Sequence, residues 1–323
     1  MTPLAKLHAL AASARIANLP GVLGNVWLGI ALGITARDAL PDRHFALQSA
    51  ALGMAGVSLY LAGSFLNDWM DRDWDAAHRP ERALPQAVFA PGFYLSVALA
   101  FVTLGLCLAA AVHPACLLVA LLIGGCIVFY TRVHKRAAWS VVLMGWCRAL
   151  LPVLGFIGCT APGLATFAAW STATAGLPAA VAACACGLFL HVAGLSLGAR
   201  CETMEPPGAA VIVVPLLLFA ASAVSMFLAS WLLLSFPLLF CALGLLPYGL
   251  WMGLCLVFFR KPLRVYVSNL LAAIPLVDLI VLWPLALILG AEHWPPPLPM
   301  LCMLIPTLAF FSGRLMQRLA PAT

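Results

Sequence analysis

Charged side chains are scarce in this chain of 323 residues. Asp, Glu, Lys and Arg make up only 9% of the sequence, whereas 64% of its residues are hydrophobic. A soluble domain carries roughly 25% charged residues, so the low charged fraction excludes an ordinary soluble domain. The composition predicts an integral, multi-pass membrane protein.

The sequence also lacks the features of several other classes of protein. The net charge is +6, but the cations are spread over short loops, and no basic run is long enough to bind nucleic acid. Residues 1–18 lack the basic end, apolar core and cleavage site of a signal peptide, so we expect the first apolar stretch to be a retained helix. The 11 cysteines show no zinc-site spacing, and we expect them to act as small hydrophobes.

Apolar stretches recur along the whole chain, and a membrane-spanning helix needs ~20 apolar residues. The candidates are 18–36, 46–67, 91–112, 114–131, 138–159, 176–199, 209–232, 236–259, 266–290 and 298–318. The last of these either crosses the membrane or lies on its surface, and the charge pattern favours crossing. No linker divides the chain. The sequence therefore predicts an all-α polytopic bundle of nine core transmembrane helices with a possible tenth, in one domain over 1–323.

The positions of Lys and Arg predict the orientation of these spans. The N-terminus and alternate loops carry 12 Lys and Arg residues, whereas the opposite loops carry only Arg37 and Arg43. Cytoplasmic loops are enriched in Lys and Arg. We therefore predict a protein of the inner, cytoplasmic membrane whose N-terminus and polar loops after the second, fourth, sixth and eighth spans are cytoplasmic.

The densest acidic cluster follows the second span. Helical residues three or four apart share a face, so Asn67, Asp68, Asp71 and Asp75 line one stripe while Asp73 points elsewhere. Clustered carboxylates repel each other unless a cation lies between them, and such oxygen ligands suit Mg²⁺ together with substrate phosphates. The alternative is a solvated loop that nearby arginines balance. The shared face favours a Mg²⁺ site for a diphosphate.

Basic residues at the same predicted face complement this stripe. Lys135 and Arg136 follow the fourth span, Arg72 lies within the acidic segment, and Arg200 ends the sixth span. Lys and Arg bind phosphate oxygens, so these four side chains are candidate diphosphate ligands.

Polar residues inside the spans form a second set of candidates. Arg148 lies within the fifth span, and an intramembrane Arg usually faces a cavity or pairs with an acid. Asp278 is the obvious partner for it, although it could equally be a neutral Asp bonded to a neighbouring helix. Asn18 and Asn25 share a face of the first span, where they line a cavity or join helices. We expect His191 to be structural.

The motif Asn67-Asp68-x-x-Asp71-x-x-x-Asp75 resembles the first aspartate motif of the UbiA superfamily of intramembrane prenyltransferases. The segment from Arg79 to Pro85, the basic loop Tyr130–Arg136 and the Arg15-x-x-Asn18 pattern match as well. The resemblance extends from about Arg15 to the ninth span. It implies a helical bundle around a central cavity that opens to lipid. It also implies a polyprenyl diphosphate held by Mg²⁺ and transferred to a small, often aromatic acceptor.

The second motif of that superfamily departs from its usual pattern here. Members usually have two or three aspartates after the sixth span, but residues 195–203 contain no Asp, and Arg200 and Glu202 lie there instead. This pattern resembles the divergent branch that includes EboC-like proteins. Two interpretations remain open. Either Glu202 contributes to a second metal while Arg200 binds phosphate, or the site binds a diphosphate lipid without turning it over.

The resulting prediction is Mg²⁺-dependent prenyl transfer from an isoprenoid diphosphate to a small acceptor, for example an aromatic or lipophilic one, within the membrane. The expected partners are the isoprenoid diphosphate, the acceptor and membrane lipid. The alternatives to this function are a non-catalytic lipid-diphosphate binder or export-associated protein and, third, a secondary transporter. The predicted catalytic groups are Asp68, Asp71, Asp75, Lys135 and Glu202. The predicted metal ligands are Asn67, Asp68, Asp71, Asp75 and Glu202. The predicted substrate contacts are Asn18, Asn67, Arg72, Tyr130, Lys135, Arg136, Arg148 and Arg200.

Overall fold

The computed structural model describes residues 2–36, 42–160, 176–200, 209–259, 262–292 and 295–319. Within these ranges the regular structure is helical, and ten helices are long and apolar enough to cross a membrane. The predicted all-α bundle is therefore confirmed. The C-terminal segment Pro297–Arg318 is one of the ten, so the structure favours ten spans over nine.

The helices follow one another with short connections. They are α1 Pro3–Ser13, α2 Leu19–Ile34, α3 Arg43–Met70, α4 Arg72–His78, α5 Pro91–Val112, α6 Pro114–Val133, α7 Val141–Thr160, α8 Leu177–Arg200, α9 Ala209–Leu228, α10 Leu238–Val257, α11 Leu263–Ala272, α12 Ile274–Ala291 and α13 Pro297–Leu319. Short 3₁₀ turns at Ile16–Asn18 and Ala138–Ser140 precede α2 and α7, and a π-helical segment at Ala229–Leu233 extends α9. Helices α1 and α4 lie outside the membrane spans. Helices α11 and α12 together form the ninth span, and each of the other α-helices forms one span.

Helix α2 lies near the centre of the bundle, where it packs against α7, α3, α13 and α12. Its contact with α7 is made by glycines. A Cβ atom added at Gly29 would overlap the carbonyl oxygen of Pro152, and one added at Gly155 would overlap that of Val26. Such close backbone approach is what small residues permit in membrane bundles. The two glycines therefore fix how α2 and α7 cross.

The ninth span is broken near its centre. Helix α11 ends at Ala272 and α12 begins at Ile274, followed directly by Pro275, which has no N–H to donate. Carbonyls near the break are bonded by side chains from other helices: His191 Nε2 lies 3.2 Å from the Leu270 oxygen, and Trp251 Nε1 donates to the Asn269 oxygen at 3.0 Å. In lipid such groups must be satisfied internally. His191 is thus structural, as the sequence indicated.

Candidate functional site

The acidic stripe lies where α3 gives way to α4. Asp68 is in the last turn of α3, Asp71 stands between the two helices, and Asp75 belongs to α4. These three side chains are buried, with residue exposures of 7%, 5% and 2%. The side chain of Asp73 is 87% exposed. The stripe deduced from helical spacing therefore faces the protein interior, and Asp73 points away from it.

Two of these carboxylates are held by arginines. Arg15 Nη2 donates to Asp68 Oδ1 at 2.8 Å, and Arg82 Nη1 donates to Asp75 Oδ2 at 2.8 Å. Arg82 Nη1 also lies 3.6 Å from Asp68 Oδ1. The sequence predicted a cation between the acids, and these guanidinium groups offset part of the repulsion between the carboxylates. Burial alone would lower the pKa of Arg15, but the charge and hydrogen bond of Asp68, together with Tyr60 and Tyr130, raise that pKa.

Asp71 is held by side chains from its own helix and from the loop after α6. Its Oδ2 atom accepts from Asn67 Nδ2 at 3.2 Å and lies 3.0 Å from His134 Nε2 and 3.4 Å from Lys135 Nζ. Burial would raise the pKa of Asp71, but the hydrogen bond and charge of His134, together with Lys135, lower it. The pKa of Lys135 is lowered chiefly by its own burial. Its ammonium group stands 3.5 Å above the centre of the Trp74 ring.

The structure does not bring all of the predicted diphosphate ligands to the stripe. Arg72 donates to the Trp69 carbonyl and pairs with the exposed Asp73, so it points outward. Arg136 is exposed. Arg200 donates to the backbone of the loop after α6, at the carbonyls of His134 and Ala137. Arg200 therefore fastens the loop that carries Lys135. Its predicted phosphate contact has no direct support in this geometry.

Three residues of the cluster were absent from the predicted site. Arg15 and His134 reach it from positions 53 and 63 residues away in sequence, and Arg82 comes from the segment after α4. Arg15 has a left-handed backbone, with φ 47° and ψ 50°, which is uncommon for a residue with a side chain. The Arg15-x-x-Asn18 pattern was a usable signal for Arg15. The position of His134 beside Lys135 was the corresponding signal for His134.

A cavity of about 300 Å³ extends from this cluster into the bundle. Its polar end is lined by Arg15, Asn18, Asn67, Tyr130 and Ser196, and its walls are mostly apolar side chains. Asn18 lines the cavity and also donates to the Tyr60 hydroxyl at 2.8 Å. The lining residues that the structure describes include no carboxylate, so a ligand in the cavity would meet basic and neutral groups of this part of the chain first, with Asp68 and Asp71 directly behind them.

Arg148 lies deeper in the same cavity. The sequence suggested that Arg148 pairs directly with Asp278, but the two side chains are not in direct contact. Its Nη1 atom donates to Asn25 Oδ1 at 2.9 Å, and Asn25 Nδ2 in turn donates to both oxygens of Asp278 at 2.9 and 2.7 Å. The predicted acid–base pair is thus bridged by an amide. Asn25 is fully buried and joins helices rather than lining the cavity.

The carboxylate oxygens of Asp68, Asp71 and Asp75 are donor atoms of the kind that binds Mg²⁺. Among the described residues no three His, Cys, Asp or Glu side chains lie close enough to form a metal cage, and Glu202 lies outside those residues. Mg²⁺, however, keeps several waters and needs only one or two carboxylates together with substrate phosphates. The buried Asp75 Oδ1 has no hydrogen-bond partner. An unsatisfied buried carboxylate oxygen beside Asp68 and Asp71 is a suitable ligand for such an ion.

Comparison with known proteins places this geometry in a family. A model of the UbiA prenyltransferase family matches residues 22–274. The fold is similar to a solved digeranylgeranylglyceryl phosphate synthase of membranes, with a TM-score of 0.55 and 17% identity, over 87% of this chain and 97% of that one. It is more distantly similar to an apo UbiA homologue from Aeropyrum pernix K1, with a TM-score of 0.49 and 15% identity over 95% and 98% of the chains.

A UbiA homologue from Archaeoglobus fulgidus bound to DMAPP and Mg²⁺ gives a TM-score of 0.42 at 16% identity, over 95% of this chain and 98% of that one. No curated protein sequence matches the chain. The family match covers well over half of the 323 residues, including the acidic stripe, the loop after α6 and most of the cavity. The chain belongs to the UbiA prenyltransferase family.

Proposed function

We propose that this protein transfers a prenyl group from an isoprenoid diphosphate to a small acceptor within the membrane, in a Mg²⁺-dependent reaction. The observation that carries the proposal is a cluster of buried carboxylates with basic partners at the polar end of an apolar cavity. Three carboxylates, Asp68, Asp71 and Asp75, are paired there with Arg15, Arg82 and Lys135. The cavity extends from that end between the spans.

The charges of the cluster suit a diphosphate. Arg15 lines the cavity and uses one side-chain ion pair, to Asp68, and one hydrogen bond to the Ser64 carbonyl. A guanidinium presents five N–H donors, so Arg15 can bind phosphate oxygens while it stays near Asp68. Lys135 holds Asp71 at 3.4 Å, a long contact that a phosphate oxygen can replace. Both bases then neutralise the charge that develops on the diphosphate.

Asp75, with Asp68 and Asp71 beside it, would hold Mg²⁺. When bound, the ion stabilises the negative charge of the leaving diphosphate. The apolar walls exclude water from the cavity, and water would otherwise quench an allylic cation. Tyr130 lines the cavity and stacks on His134 at 4.9 Å between ring centres, and an aromatic face stabilises a nearby cation.

Arg200 is a positioning residue in this proposal. Its contacts with the carbonyls of His134 and Ala137 hold the loop in which His134 and Lys135 face Asp71. Glu202, the candidate for a second metal position, lies outside the described residues, and its role remains part of the proposal.

The decisive experiment is equilibrium binding of radiolabelled geranyl diphosphate to the purified protein in detergent, with Mg²⁺ and with EDTA. We expect EDTA to abolish most of the binding. Asp75→Asn should weaken Mg²⁺-dependent binding by ~10-fold or more, because it removes a charged ligand. Asp73→Asn is the matched control, since it makes the same change on an exposed side chain of the same helix. Equal binding by both variants, with and without EDTA, would refute the metal assignment.

A non-catalytic lipid-diphosphate binder is the second candidate. Two observations favour it: the carboxylates already have basic partners, and residues 195–203 contain no Asp. Inorganic diphosphate released on mixing protein, geranyl diphosphate, Mg²⁺ and a panel of acceptors separates the two functions. Release that stops in Asp75→Asn and persists in Asp73→Asn supports the enzyme. Tight binding without release supports the binder.

A further inference from the structure

We propose that Arg148 forms a second polar subsite inside the cavity, which binds the oxyanion of the acceptor, a carboxylate or a phosphate. This inference rests on the proposed function, because it names the acceptor class for the same cavity. It is carried by an arginine that lines the cavity deep between the spans and is held from behind by an amide and an acid.

The subsite is built on three fixed side chains. Arg148 is 7% exposed, and Asn25 and Asp278 are fully buried. The amide of Asn25 can be assigned unambiguously, because Arg148 has only donors and Asp278 accepts at both oxygens. The Asn25 oxygen therefore faces Arg148 and its nitrogen faces Asp278, as the hydrogen bonds show. These contacts join α7, α2 and α12, so the guanidinium is held by three spans.

Glycines leave room for this arrangement. A Cβ atom at Gly21 would lie 3.7 Å from Arg148 Nη1, and one at Gly24 would lie 3.1 Å from Asp278 Oδ2. The guanidinium also lies 5.7 Å from the centre of the Tyr60 ring. Arg148 is thus packed on one side by α2 and on another by an aromatic face, and its remaining side is the cavity.

Most donors of Arg148 remain available to a ligand. Among the described residues, its one side-chain hydrogen bond runs from Nη1 to Asn25, whereas a guanidinium carries five N–H groups. Asp278 is the nearest acid in this group, but the Asn25 amide separates it from Arg148. A ligand oxyanion in the cavity would be nearer to Arg148 than to Asp278, so attraction exceeds repulsion. An arginine fork matches a carboxylate or phosphate with two parallel hydrogen bonds.

The depth of Arg148 separates this subsite from the diphosphate end. Its partner Asn25 lies seven residues along the first span from Asn18, which is ~10 Å of helix. Asn18 lines the polar end beside Arg15, whereas Arg148 is held at the level of Asn25. A prenyl tail has no group that hydrogen-bonds a guanidinium, and a desolvated cation without a partner is costly. An acceptor with an anionic group satisfies Arg148 and lies beside the tail.

The test measures binding by equilibrium dialysis in detergent, without any reaction. The probes are radiolabelled benzoate, phenyl phosphate and methyl benzoate. We expect the wild type to bind one or both anions more tightly than the neutral ester. Arg148→Met should weaken anion binding by ~10- to 100-fold, the loss of a charge-assisted contact, and leave ester binding unchanged. The better anion identifies carboxylate or phosphate as the natural group.

Two further variants keep the test decisive. Arg148→Met leaves the buried Asp278 without a guanidinium nearby, which can unfold the protein, so the double variant Arg148→Met with Asp278→Asn replaces both ionisable side chains. It should fold, bind the ester and lose the anions. Arg314→Met is the matched control. Arg314 lies on α13, contacts the Trp251 ring at 5.3 Å and is not part of the cavity lining, so its replacement should leave anion binding unchanged.

The outcomes separate this inference from the proposed function. If the wild type binds geranyl diphosphate with Mg²⁺ but the Arg148 variants bind anions as the wild type does, the subsite is refuted and the proposed function stands. If anion binding depends on Arg148 while geranyl diphosphate does not bind, the proposed function fails and the subsite stands. A wild type that prefers the ester to both anions also overturns the subsite.

Discussion

The crossing of α2 and α7 at Gly29 and Gly155 gives the sharpest prediction about stability. Replacing Gly155 by Ala places a methyl group against backbone atoms of α2: the carbonyl oxygen of Val26, and the Ile30 nitrogen at 3.0 Å. Neither atom belongs to a flexible side chain that can rotate away. The two helices must therefore separate, or the substitution must bend one of them.

The size of the effect follows from the contact distances. Carbon and carbonyl oxygen normally meet at ~3.3 Å or more, and the added methyl group would approach the Val26 oxygen well inside that limit. Overpacking of a tight core typically costs 1–3 kcal/mol and occasionally more. Because both obstructing atoms are backbone, we expect Gly155→Ala to lower the free energy of unfolding by ~3 kcal/mol. The separation would also strain the Asn25–Arg148 hydrogen bond, which joins the same two helices.

The assay is unfolding of the purified protein in a detergent series, followed by far-UV circular dichroism. Gly124→Ala on α6 is the control, since a Cβ atom there meets nothing within 4 Å. Alanine exceeds glycine in helix propensity by ~1 kcal/mol, so this control should be as stable as the wild type or more so. The reasoning is refuted if Gly155→Ala unfolds at the wild-type midpoint, or if Gly124→Ala loses as much stability as Gly155→Ala.

Three further predictions concern the polar network. Acid should destabilise the protein. Burial would raise the pKa of Asp71, but the hydrogen bond and charge of His134 lower it, so the ionised carboxylate stabilises the folded state. This stabilisation is fully present above about pH 4 and is lost as the pH falls through the lowered pKa of Asp71 in the folded protein. The unfolding midpoint of Asp71→Asn should fall less over that pH range than the midpoint of the wild type. Arg82→Met should cost ~1–2 kcal/mol of unfolding free energy, because it leaves the buried Asp75 without its basic partner, while Asp68 keeps Arg15. The exposed Arg132→Met should cost little in the same titration. His191→Phe should cost ~1–3 kcal/mol, measured in the same way, because it removes one hydrogen bond from each of two buried groups, the Tyr248 hydroxyl and the Leu270 carbonyl.

Much of the fold could be predicted because lipid imposes a simple rule on sequence. Each crossing needs ~20 apolar residues, and hydropathy located nine spans and a candidate tenth, for which the charge pattern favoured crossing. The rule carries no information about breaks within a span. The division of the ninth span at Ala273 and the π-helical segment Ala229–Leu233 were therefore not predicted. Both depend on which backbone groups find partners on neighbouring helices.

The site could be predicted only where its residues are close in sequence. Helical periodicity alone placed Asp68, Asp71 and Asp75 on one buried face. Their partners Arg15 and His134 come from other elements, and spacing cannot show which base meets which acid. The same limit applies inside the membrane. The sequence indicated that Arg148 needed a counter-charge, but the Asn25 amide between it and Asp278 became visible only when three helices were brought together.

The break in the ninth span divides the part of the cavity wall that this span forms into two halves. Val267 and Leu271 line the cavity from α11, and Ile274 lines it from α12. Side chains of other helices hold the backbone carbonyls of Asn269 and Leu270 on α11, and Asn25 of α2 holds Asp278 on α12, so residues on either half can change size without unravelling the break. Substitutions in one half alone can therefore change the volume and shape of the cavity while the fold stays the same. Such substitutions are a simple route to a cavity for ligands of another size.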